Sequence, residues 1–136
     1  MAYFQDEKEV YQYLGGVFQL CFKDAALAEE FGRVGITIRL NYTEPESSIW
    51  VNFGTGQVDF GTSTMPVDAE MSMTADTGHK FWLGKLNATT AMAKGQMRAK
   101  GPVPKILKLL PIAKKVFPLY RQLLEDAGRA DLVAAA

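Results

Sequence analysis

The chemistry open to this chain is bounded first by its single histidine, His79. A catalytic triad or an imidazole general base would have to rest on that one residue. It falls near the opening turn of a short predicted helix, where polar residues are common, and so reads as structural or solvent-exposed. Cys21 is the only cysteine. Without a second thiol for a disulfide or a zinc cluster, and without a flanking histidine, it reads as a small buried hydrophobe on an apolar helical stripe. Metal binding lacks a His pair, a Cys pair or a dense group of carboxylates. Glu70 and Asp59 fall on the polar sides of strands and read as solvated. Gly54-Thr55-Gly56 lies between two hairpin strands rather than between a strand and a helix, so its amides cannot be aimed at a phosphate as a P-loop's are. No catalytic constellation and no cofactor motif emerges, and the chain reads as a non-enzyme.

The side chains that do cluster are greasy ones. Met71, Met73, Met92 and Met97 are four of the six methionines, with Phe81, Trp82 and Leu86 among them in sequence. Phe18 and Phe22 come from the N-terminal stripe, and Ile106, Leu110, Phe117 and Tyr120 from the C-terminal one. Flexible thioethers and large rings can fill a core, but they can also line a cavity that adapts to an apolar guest. The tail also carries Lys105, Lys108, Lys114, Lys115 and Arg121 with no acid between the first and the last. Cations alternating with an apolar stripe form either a solvated face or a transient contact with an anionic membrane surface. The formal net charge is zero, which gives no reason to invoke nucleic acid.

The elements that must position these residues follow from periodicity. Val10, Leu14, Val17, Phe18, Cys21 and Phe22 recur at three- and four-residue steps, an amphipathic helix interrupted at Gly15-Gly16. Asp24 is placed to cap a second helix ending at Gly32. Ile36, Ile38, Leu40 and Tyr42 alternate with Thr37, Arg39 and Asn41, Ile49, Val51 and Phe53 with Trp50 and Asn52, and Val58 and Phe60 with Gln57 and Asp59. Short turns make these three strands an antiparallel meander with one face covered and the other left to water. A fourth strand alternates through Ala69, Met71, Met73 and Ala75. Asp76 is placed to cap a helix carrying Phe81, Trp82, Leu83 and Leu86, and Asn87 a shorter one ending at Gly95. A fifth strand starts at Gln96. From Pro102 onward Ile106, Leu107, Leu110, Ala113, Phe117, Tyr120 and Leu124 share a helical face. Pro111 and Pro118 break it into two or three bent pieces, and the last eight residues are expected to fray.

The run Leu83-Gly84-Lys85-Leu86-Asn87, followed by Ala91, Lys94-Gly95 and Lys100-Gly101, resembles the signature region of the sterol-carrier-protein-two domain family. The resemblance covers nearly the whole chain and departs at Pro102, where the family usually has an acidic residue after the last glycine. It implies that the fourth strand returns beside the first. It also implies that sheet and helices enclose a hydrophobic tunnel for sterols, fatty acyl chains or acyl-CoA, with the C-terminal segment controlling access. On that reading Phe18, Phe22, Met71, Met73, Phe81, Trp82, Leu86, Met92, Met97, Ile106, Leu110, Phe117 and Tyr120 are the candidate lining.

At 136 residues the chain is expected to form one α+β domain over 1–136: helices in 6–32, a five-stranded mostly antiparallel sheet with inserted helices in 36–101, and a broken helical lid in 102–128. It is 48% hydrophobic and 22% charged, ordinary for a soluble protein. No signal-peptide pattern opens it and no run approaches the ~20 apolar residues that span a bilayer, so a cytoplasmic location is expected. The partner is expected to be a lipid or other hydrophobic small molecule, bound by a monomer or homodimer. The rival reading is a ligand-free interaction, dimerisation or accessory module with a filled core.

Overall fold

A computed structural model describes residues 2–134. Three alternating runs form β1 (Thr37–Thr43), β2 (Ser47–Asn52) and β3 (Val58–Phe60). They pair antiparallel, with Leu40 opposite Ile49 and Ile49 opposite Phe60. β4 (Ala69–Thr74) then lies parallel to β1, setting Leu40 beside Met71 and Tyr42 beside Met73. β5 (Arg98–Lys100) closes the other edge antiparallel to β4. The sheet order is β3-β2-β1-β4-β5, mixed but mostly antiparallel, and the expected return of the fourth strand beside the first holds. Because side chains alternate along each strand, that register places Ile38, Leu40, Tyr42, Met71 and Met73 on one buried face.

The opposite face is less wet than alternation implies. Trp50 is buried there, because the Arg39 guanidinium lies over its ring at 4.8 Å from the centroid, a stacking that suits a planar cation.

The chain opens with α1 (Glu7–Val10), capped by the Asp6 carboxylate, a π-helical stretch Tyr11–Gly15, and α2 (Gly16–Lys23). The glycine pair therefore widens the helix rather than ending it. Gly15 also admits the Phe60 ring, which would stand 2.6 Å from a β-carbon at that position. Asp24 caps α3 (Ala25–Val34) as expected. The helix runs past Gly32 and stops at Gly35, whose φ of 64° suits a left-handed terminus.

α4 (Ala75–Trp82) is capped by Thr74, whose hydroxyl oxygen accepts the Thr77 N–H at 3.1 Å. Asp76, expected as the cap, instead accepts the Tyr3 N–H at 2.9 Å and ties down the N-terminal segment. Asn87 caps α5 (Ala88–Ala93), and Gly95 adopts a φ of 76° beyond its end.

The C-terminal segment forms α6 (Val103–Lys114), α7 (Phe117–Asp126) and α8 (Ala130–Ala134). Pro111 sits inside α6 without ending it. The break comes at Lys115 and Val116, whose N–H groups bond three residues back, to Ile112 and Ala113. Pro118 is then accommodated in the first turn of α7. Leu107 is exposed and Leu109 takes the buried place expected for it. The tail does not fray over 129–134: Leu132 is buried, and Arg129 bonds Glu9 at 2.6 Å and Asp131 at 3.1 Å. Ala135 and Ala136 lie outside the described residues. Among the described residues no helix is long and apolar enough to cross a membrane.

Candidate functional site

Between the sheet and the helices lies an apolar chamber of about 70 Å³. Its floor is the buried face of β1 and β4: Ile38, Leu40, Tyr42, Met71 and Met73. α2 contributes Phe18, α4 contributes Phe81 and Trp82, and α6 closes the chamber with Ile106, Leu109, Leu110 and Ala113. Met97, just ahead of β5, completes one wall. Gly78 is part of the lining because α4 passes close over the sheet; a β-carbon there would meet the Tyr42 ring at 2.9 Å.

An open groove of about 700 Å³ adjoins the chamber. It runs between the α4–α5 connection (Gly84 to Thr89) and the outer side of α6 (Leu107, Pro111 and Lys114), with Phe117 at the start of α7. Phe81, Ala88 and Leu110 line both chamber and groove. These three residues form the partition between an inner apolar space and an outer one open to water. Within it the Phe81 ring stands edge-on to Trp82 at 5.0 Å and to Phe117 at 5.5 Å. Lys85 and Lys114 are the charged residues of the groove lining, and no acid joins them.

Of the residues singled out by sequence, Phe18, Met71, Met73, Phe81, Trp82, Met97, Ile106 and Leu110 face the chamber. Leu86 and Phe117 line the groove. Phe22, Met92 and Tyr120 line neither. Phe22 packs against Phe31 and Phe53, Met92 is half-buried against the core, and Tyr120 serves His79. Sequence reasoning missed Phe31, Phe53, Ala88, Leu109 and Ala113, as well as the strand residues Ile38, Leu40 and Tyr42. The signal for the last three was present, since their alternation matches that of Met71 and Met73 once the strands pair.

His79 is fully buried in α4. Its Nε2 lies 2.7 Å from the Leu132 carbonyl oxygen and its Nδ1 2.8 Å from the Tyr120 hydroxyl. A carbonyl can only accept, so Nε2 carries the hydrogen and Nδ1 accepts from Tyr120. Desolvation holds the imidazole below its usual pKa, against the opposing pull of the Leu132 hydrogen bond. Both nitrogens are occupied in holding α7 and α8 to α4, which leaves none for a substrate. Cys21 is buried, and burial pushes its thiol up to about 12, so it packs as a hydrophobe. Among the described residues no group of His, Cys, Asp and Glu is arranged to hold a metal ion.

The SCP-2 sterol transfer family model matches residues 17–114. No curated protein sequence matches the chain. Among solved structures, sterol carrier protein domain 2 of Helicoverpa armigera is similar at a TM-score of 0.66 and 14% identity, over 87% of this chain and 95% of that one. Sterol carrier protein 2 of Yarrowia lipolytica in its apo form aligns at 0.60 and 19%, over 76% and 88%. Sterol carrier protein 2 of Aedes aegypti in complex with palmitate aligns at 0.54 and 17%, over 71% and 91%. At such identities the structures show a shared fold, and the family model covers most of the chain, from α2 through α6. This chain, with its mixed five-stranded sheet roofed by helices, belongs to the SCP-2 sterol transfer family.

Proposed function

We propose that the protein binds a lipid or other elongated apolar molecule non-covalently and passes it on without chemistry. The observation that supports this most is the shared partition: an apolar chamber and an outer groove meet at Phe81, Ala88 and Leu110. A chain lying in the groove reaches the chamber by displacing those side chains. The volumes require such a displacement. An apolar cavity of roughly 150 Å³ holds a benzene ring, so a chamber of about 70 Å³ takes an alkyl chain only after its lining side chains give way. Each methylene taken from water contributes ~0.8 kcal/mol before association costs, so a long chain binds without specific contacts. Lys85 and Lys114 flank the groove, suited to an anionic head. Fatty acid, fatty acyl-CoA and sterol are the ligand classes proposed; the palmitate complex of the Aedes aegypti relative favours an acyl chain among them.

Trp82 lines the chamber, so its fluorescence reports occupancy directly. Leu110→Asp and Phe117→Asp change half-buried positions at the partition and groove. Both variants are expected to lose binding of fluorescent fatty acids while the circular dichroism of the sheet survives. Unchanged affinity in a folded variant would remove α6 and α7 from the proposed lid. The small chamber also favours a second reading, a filled-core interaction or accessory module. Under it, no apolar ligand alters Trp82 emission.

A further inference from the structure

The chamber is hydrocarbon and thioether except at two places. Of the residues that line it, Tyr42 and Trp82 alone carry a side-chain O–H or N–H. A buried phenol or indole normally finds a hydrogen-bond partner, because an unpaired donor forfeits the bond it had with water. Tyr120 follows that rule, its hydroxyl meeting His79 at 2.8 Å. Among the described residues the Tyr42 hydroxyl and the Trp82 Nε1 make no hydrogen bond, although both side chains are buried, at 3% and 5% of full exposure.

Neither group is walled off. Among the described residues, the one buried side-chain nitrogen or oxygen both unpaired and sealed from water-sized space is the Arg39 Nε, beside Trp50 on the other face of the sheet. The Tyr42 hydroxyl and the Trp82 Nε1 therefore border open space, and the space that both residues line is the chamber. Tyr42 stands beside Met73 across the β1–β4 pair, and its ring passes under α4 at Gly78, where a β-carbon would meet it at 2.9 Å. Gly78 and Trp82 are four residues apart on α4, hence on one face of that helix. The two donors thus come from neighbouring parts of the wall. Burial alone raises the Tyr42 phenol above its ordinary pKa, so it stays protonated and able to donate.

We propose that Tyr42 and Trp82 form a polar anchor inside the chamber for one hydroxyl or carbonyl oxygen of an otherwise apolar guest. The inference rests on the lipid-carrying reading and narrows its ligand to an acyl chain oxygenated far from its carboxylate, or a sterol that enters hydroxyl first. A saturated chain seated in the chamber covers both donors with hydrocarbon and leaves them unpaired, whereas an oxygen accepts from them. The other lining side chains offer no donor, so the chamber rewards one oxygen and penalises a second. Tyr42 and Trp82 take no part in the groove. A carboxylate at Lys85 and Lys114 and an oxygen at the anchor are thus read at separate places.

The test is isothermal titration calorimetry of the full chain with two pairs of ligands. One pair is palmitate and ω-hydroxypalmitate; the other is cholestene and cholesterol, the same skeleton without and with the hydroxyl. In one pair the oxygenated member should bind about 10-fold more tightly, the size of a hydrogen bond kept rather than lost. The pair that shows the preference tells whether the skeleton is acyl or steroid. Tyr42→Phe keeps the ring and removes a hydroxyl without a protein partner, so its urea stability should match that of the parent. In that variant the preference should fall to about 3-fold or less, whereas a merely structural role for Tyr42 would weaken both members alike. Equal affinities within both pairs, or a preference that Tyr42→Phe leaves intact, overturn the anchor even where palmitate binds and the carrier reading stands. Binding of none of the four removes the carrier reading and the anchor with it.

Discussion

His79 shows how a residue type that invites a catalytic reading can be spent on architecture. Its two nitrogens satisfy the Tyr120 hydroxyl and the Leu132 carbonyl, both in elements near the C-terminus. The buried ring titrates below its usual value near 6.5 because desolvation penalises the imidazolium. The unfolded chain therefore binds a proton that the folded chain refuses over the window from 6.5 down to the lowered value. Stability is present above that window and is lost as the pH falls through it. Urea denaturation on either side of pH 6.5 should show this loss, and His79→Leu should flatten that part of the dependence. The same variant should lower stability above the window by about 1–3 kcal/mol, because two buried polar groups lose their partner. An undiminished pH slope in the variant would assign it to another group. The burial of His79 was expected from sequence only as one of two options. Nothing local shows that Leu132, 53 residues away, folds back to meet it.

At the scale of elements, the sheet was legible because apolar residues alternate along each run in the sequence, and burial follows that period most clearly in β4. The parallel pairing of β1 with β4 was not readable from periodicity, which says nothing about neighbours; it came from the family resemblance. Helix ends were legible where a single side chain decides them, as at Asp24 and Asn87. They were misread where two candidates adjoin, as with Thr74 and Asp76: only the backbone shows which oxygen reaches the Thr77 N–H. Pro111 was read as a break because a mid-helix proline removes a donor and crowds the preceding turn, yet α6 continues through it. The partition was illegible because Phe81, Ala88 and Leu110 come from three separate elements. Its role has a direct test. Phe81→Ala should join chamber to groove and speed the Trp82 fluorescence change on adding fatty acid in stopped-flow mixing. The stability cost should stay below the ~3–5 kcal/mol of a fully buried phenylalanine, since Phe81 is half-buried. An unaltered rate would mean that ligand reaches the chamber elsewhere.

For the molecule as a whole, composition indicated ordinary solubility and no net charge, and neither quantity reveals how charge is distributed. Ten cations and no acid fall between Thr77 and Leu124, and of those ten the fold brings Lys85 and Lys114 to the groove. A chamber of about 70 Å³ adjoins a groove of about 700 Å³, and the three residues they share make the groove an approach to the chamber. The central claim is that this approach admits a lipid. Native mass spectrometry of the freshly purified protein, followed by solvent extraction of what it carries, tests that claim most directly. The account predicts a mass increment at stoichiometric occupancy, with the extract identifying an acyl chain or sterol. A clean mass of the unliganded chain, with no uptake of fatty acid or sterol afterwards, would contradict it and leave a filled-core interaction module.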